Sequence, residues 1–142
     1  MKKLLLALCL FGACSTLYAQ TDLLFKAKLY NEEFDLEAEI NFYDNNVNVP
    51  RMEMFGQQPG YLVKSRTSYP WIIAEAELTD DRSAQLVIIN DAGSEDLVAT
   101  LTCQSDSVYV LKQGRGSTMK VPKGSKWMKL PTTIVLKTKK ND

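Results

Sequence analysis

The chain has 142 residues, 45% of them hydrophobic, and its 17 basic side chains are matched by 17 acidic ones. It contains no histidine, which excludes a His-based nucleophile triad, a histidine metal centre and an imidazole acid or base acting near neutral pH. A net charge of zero without a nucleic-acid-binding motif argues against nucleic acid as a partner.

At the N-terminus, Lys2 and Lys3 precede an apolar run from Leu4 to Leu10 that continues through Phe11, Gly12 and Ala13. A basic end followed by an apolar stretch too short to anchor in a bilayer is the pattern of a secretory leader. Residues 1–19 are therefore read as a signal peptide, with cleavage after Ala19. The alternative takes Phe11-Gly12-Ala13-Cys14 as a lipidation motif in which Cys14 is acylated. The first reading places the protein in the periplasm or outside the cell, the second on the outer membrane. Residues 20–142 then form one domain with no transmembrane segment. Cys9 and Cys14 lie in or beside the leader, so cleavage leaves Cys103 without a disulfide partner, and it is expected as a small buried residue.

Period-two alternation of apolar and polar residues then recurs along the chain, the mark of strands with one wet face. The clearest case is Phe34–Phe42, where Phe34, Leu36, Ala38, Ile40 and Phe42 share one face and Asp35, Glu37, Glu39 and Asn41 the other. The reading predicts strands over Leu23–Leu29, Phe34–Phe42, Trp71–Leu78, Ala84–Ile89, Leu97–Cys103, Val108–Lys112, Met119–Val121 and Pro131–Lys137. Turn residues separate them, among them Asp80-Asp81, Asn90–Ser94, Gly114–Ser117 and Pro122–Ser125. The fold class expected is all-β, an antiparallel meander closed into a barrel of roughly eight strands, since closure removes exposed edges. A two-sheet β-sandwich is the alternative.

Between Asp44 and Pro70 the rhythm breaks, and residues 45–69 are expected as a long connection. It carries Met52, Met54, Phe55, Tyr61 and Leu62, which either plug one end of the barrel or form a recognition loop for a ligand. Charge is divided as well: residues 20–106 hold 6 basic and 16 acidic side chains, and residues 107–142 hold 9 basic and 1 acidic. The basic segment bearing Lys120, Lys123, Lys126 and Lys129 is a candidate patch for an anionic partner such as lipopolysaccharide, a glycan or an acidic protein. Its lysines, with Lys137, are also expected to lie beside Asp35, Glu37 and Glu39, because closure brings the first and last strands together.

No cofactor or metal is expected. Gly114-Arg115-Gly116-Ser117 lacks the helix and spaced lysine of a phosphate loop. A carboxylate-based glycan hydrolase would need two of Glu75, Glu77, Asp80, Asp81, Glu95 and Asp96 to face each other across a cleft. Tyr18-Ala19-Gln20, the run Asn90–Leu97, Gly116-Ser117 and Lys126-Trp127-Met128-Lys129-Leu130-Pro131 resemble uncharacterised small secreted β-domain proteins of Bacteroides-type bacteria. That resemblance implies export and a β fold and carries no activity. The expectation is a non-enzymatic exported binding or interaction module of the cell envelope, its partner unknown, with an envelope-structural lipoprotein or the carboxylate hydrolase as alternatives.

Overall fold

A computed structural model describes residues 23–139; the leader, the cleavage site after Ala19 and the Cys14 motif lie outside the described residues. The chain runs through β1 (Lys26–Asn31), β2 (Leu36–Asn41), β3 (Val47–Asn48), β4 (Gln57–Gln58), β5 (Gly60–Lys64) and β6 (Trp71–Asp80). It continues through β7 (Ser83–Ile89), β8 (Asp96–Ser105), β9 (Val108–Gly116), β10 (Lys120–Lys123), β11 (Lys126–Lys129) and β12 (Thr133–Thr138). Eight of these strands close an antiparallel barrel in the order β1-β12-β9-β8-β7-β6-β5-β2, and two short ribbons, β3-β4 and β10-β11, stand outside the wall. The barrel, and not the sandwich, is the architecture.

Alternation accounts for the wall. Leu36, Ala38 and Ile40 of β2, Ala84, Leu86 and Ile88 of β7, Leu97, Ala99, Leu101 and Cys103 of β8, and Ile134 and Leu136 of β12 all point into one core. Slipping β2 by one residue would bury Glu37 and Glu39 instead, at a cost of several kcal/mol per unpaired ion. Asp35 is exposed and Glu37 and Glu39 are half-buried, but Phe34, expected inside, is only half-buried because it sits in the β1–β2 turn. Side chains fill the barrel: the residual cavity, walled by Leu29, Ile40, Leu62, Leu111 and their neighbours, is about 10 Å³. That is the lower limit for one water, so the interior has no room for a ligand.

Two elements differ from the sequence expectation. Met119–Val121 is not a wall strand; it belongs to the β10–β11 hairpin. The wall strand in its stead is β5, inside the stretch expected as a connection. Leu62 and Val63 are both buried, on opposite faces of β5, so no alternation marks it. Gly60 is required there because a Cβ would stand 2.5 Å from the Glu39 carbonyl oxygen of β2.

The two ends close differently. At the end where β1 begins, Phe25 stacks on Phe42 at 5.4 Å and meets the edge of Tyr109 at 6.3 Å. The Tyr109 hydroxyl donates to the Leu24 carbonyl, and the Phe25 N–H donates to the Tyr43 hydroxyl at 3.0 Å. At the opposite end the β10–β11 hairpin lies across the opening with Met119, Val121 and Leu130 buried in the core. Gln113, itself 8% exposed, holds both legs of this lid. Its Oε1 accepts the Met119 N–H at 2.7 Å, its Nε2 donates to Pro131 O at 2.8 Å, and its backbone N–H donates to Thr132 O at 2.8 Å.

Candidate functional site

The residues proposed from the long connection do not come together. Leu62 is 3% exposed and faces the core, while Tyr61 beside it faces the outer surface opposite Glu39. Burial, then the Glu39 and Glu37 carboxylates, hold the Tyr61 phenol above its ordinary pKa. Met52 is half-buried next to the 3₁₀ turn Glu53–Phe55, on which Met54 is 90% exposed and Phe55 40%. They neither plug the barrel nor share a pocket; the plug at that end is Phe25, Phe42 and Tyr109. The physical reason is β5 itself, whose period of two sends adjacent residues to opposite sides of the wall.

The four lysines share one hairpin, Lys120 and Lys129 on its outer face and Lys123 and Lys126 at its tip on the other pleat. Hairpin β10–β11 pairs Lys120 with Lys129, Val121 with Met128, Pro122 with Trp127 and Lys123 with Lys126. Gly124 at φ 64° supplies the left-handed turn residue between the strands. Val121 and Met128 face the barrel, which leaves Lys120, Pro122, Trp127 and Lys129 on the outer face. Trp127 is 51% exposed, and Tyr69 from the β5–β6 loop, 45% exposed, packs against it at 5.1 Å with the ring planes at 73°. Lys120 Nζ stands 6.0 Å from the Trp127 ring centroid and 3.6 Å from the Glu95 carboxylate of the β7–β8 turn. Backbone anchors hold the platform: the Trp71 indole donates to Lys120 O at 2.9 Å and Lys64 Nζ donates to Pro122 O at 2.7 Å.

Comparison with protein-family models, with curated proteins and with solved structures finds no match for this chain.

The outer wall of the barrel carries charges of both signs. Two open grooves of about 540 and 420 Å³ run along the outer face of β1, β2 and β12. Their walls mix Lys26, Lys28, Lys137 and Lys139 with Glu37 and Glu39. Lys139 Nζ lies 3.4 Å from Glu37, both about half exposed, so the pair contributes little. The expected neighbourhood of basic C-terminal and acidic N-terminal residues therefore exists at β12, whereas the hairpin lysine that finds a carboxylate, Lys120, finds Glu95. Of the six candidate catalytic acids, Glu75, Glu77, Asp80 and Asp81 are exposed along β6 and its turn, and Glu95 and Asp96 lie at the other end of the barrel. None of them lines the two grooves. No group of three metal-ligating side chains occurs among the described residues.

Tyr69, Trp127 and Glu95 completed the site without having been singled out as ligand-binding. A tryptophan flanked by Lys126 and Lys129 is a usable signal; nothing in Ser68-Tyr69-Pro70 announces its partner.

Proposed function

We propose that this protein is an exported, non-enzymatic binding module of the cell envelope that captures an anionic partner on the outer face of the β10–β11 hairpin. The carrying observation is the opposition of Lys120 to Lys129 beside the exposed Trp127 on that face, with Lys123 opposite Lys126 at the hairpin tip. Like charges directly opposite each other destabilise a hairpin. A bound polyanion turns that repulsion into attraction. Lys123, Lys126 and Lys129 have no salt-bridge partner among the described residues, so their charge is available. The filled interior directs binding to the surface, and the Gln113, Trp71 and Lys64 anchors keep the platform rigid, which lowers the ordering cost of binding.

The test is a binding isotherm of the chain lacking residues 1–19 on polyglutamate, polyphosphate and polygalacturonate, at about 50 mM and about 0.5 M salt. At least one polyanion should bind at low salt, lose most of its affinity at high salt, and lose it also in a Lys123→Gln/Lys126→Gln/Lys129→Gln variant. Binding of none, or binding indifferent to the triple substitution, overturns the reading. Mass spectrometry of the mature N-terminus tests export separately: a chain beginning at Gln20 supports simple cleavage, and an acylated Cys14 supports the lipoprotein alternative.

A further inference from the structure

Resting on that reading, we infer that the anionic partner is an acidic polysaccharide, one of whose sugar rings stacks on Trp127 while a neighbouring carboxylate or sulfate takes the place of Glu95 at Lys120. The hairpin face couples two chemistries within one short strand pair. Trp127 and Tyr69 are each about half exposed, and because their planes meet at 73° the open surfaces form a corner, not a flat plate. The apolar C–H face of a pyranose packs against such a ring while its edge hydroxyls remain in water. On the same face stand Lys120 and Lys129.

The Glu95–Lys120 pair shows where an anion sits. The carboxylate is 3.6 Å from Nζ, and the same Nζ is 6.0 Å from the Trp127 centroid. Glu95 is an internal competitor for that position.

Other anionic partners fit less well. The exposed hairpin residues around Trp127 are Lys123, Gly124, Ser125, Lys126 and Lys129, so beyond the two rings the hairpin's apolar surface on that face is the half-buried Pro122. A protein hot spot needs its aromatic anchor enclosed and desolvated by surrounding contacts. A bilayer needs an apolar face deep enough to enter the acyl boundary. A stacked sugar requires neither.

Polygalacturonate, polyphosphate, polyglutamate and phosphatidylglycerol vesicles are compared at equal charge on the chain lacking residues 1–19, on Trp127→Ala and Trp127→Phe, and on Glu95→Gln. Polygalacturonate should bind tightest, and Trp127→Ala should weaken it about tenfold, as for an aromatic anchor. The same variant should leave polyphosphate unchanged, Trp127→Phe should restore most of the polygalacturonate affinity, and Glu95→Gln should raise it. Fluorescence needs no variant: of the two tryptophans, Trp71 is buried, so polygalacturonate and not polyphosphate should shield the exposed Trp127 from acrylamide. Equal binding of polyphosphate or polyglutamate, indifference of polygalacturonate to Trp127→Ala, or preferred binding of the vesicles overturns the polysaccharide and leaves the anionic-partner reading standing. Failure of every polyanion removes both.

Discussion

The two ends of the barrel solve the same problem with opposite economies. Where β1 begins, the opening is sealed by Phe25, Phe42 and Tyr109, whose rings pack on one another and whose polar groups are matched locally. At the other end a separate hairpin is laid over the opening, buried on one face and carrying Lys120, Lys129 and Trp127 on the other. The first closure leaves nothing in need of a partner. The second covers the core with one face and presents two lysines and a half-exposed tryptophan on the other, the face proposed above for binding.

Substitutions at the two ends should separate these roles. The largest effect belongs to the sealed end: Phe25→Ala removes a side chain 1% exposed and should cost about 3 to 5 kcal/mol, read as a lowered melting temperature, with polyanion binding unchanged at temperatures where the variant is folded. Gln113→Leu comes next. It strips the amide from the lid's two legs, leaves the Met119 N–H unpaired, and should cost about 1 to 3 kcal/mol in chemical unfolding. Unlike Phe25→Ala it should also weaken polyanion binding, because the platform loosens. If the two variants affect binding alike, the division between the ends fails.

Alkaline pH probes the sealed end again. Burial, and next to it the Cys103 thiol, push the Tyr109 phenol above its ordinary pKa of 10.0. Above pH 10 the unfolded chain sheds a proton that the folded chain keeps, so stability is constant below that pH and falls as pH rises beyond it. Tyr109→Phe should flatten that alkaline decline while losing about 1 kcal/mol at neutral pH from the hydrogen bond to Leu24. An unchanged alkaline slope in the variant would assign the decline elsewhere. The smallest effect is at the lid's tip, where Lys126→Glu places opposite charges across from each other at Lys123. It should stabilise the protein by a few tenths of a kcal/mol and weaken polyanion binding. A residue whose removal improves the fold and harms binding is what the comparison requires; destabilisation would break it.

Much of the wall was readable because β2, β7 and β8 face water on one side and core on the other, so Leu36, Ala38 and Ile40, or Leu97, Ala99 and Leu101, appear at every second position. β5 was not readable. Its outer face is itself covered at Val63, which erases the alternation, and Pro59 before it and Gly60 at its start look like turn residues. Met119–Val121 has a strand's pattern because it is one, yet pattern does not say which sheet a strand joins. The lysines of the candidate site were visible through the charge division of the chain. Tyr69 was not, because only the barrel's topology brings the β5–β6 loop against β11. Met54 and Phe55 illustrate the reverse error: large apolar residues near each other in sequence, placed by a 3₁₀ turn at the surface without a common pocket.

The seam of the barrel has a consequence for the order of assembly. β1 pairs with β2 along its whole length but meets β12 only at Leu29↔Thr138 and Tyr30↔Lys137, assisted by the Asn31 amide on Val135 O at 2.8 Å. A chain that emerges N-terminus first therefore holds β1 as an open edge until β12 has appeared. No earlier point on the chain permits closure. The wall cannot lock around a half-delivered polypeptide, and a copy cut short before Thr133 leaves β1 and β9 each with a bare edge, ready to pair with another chain.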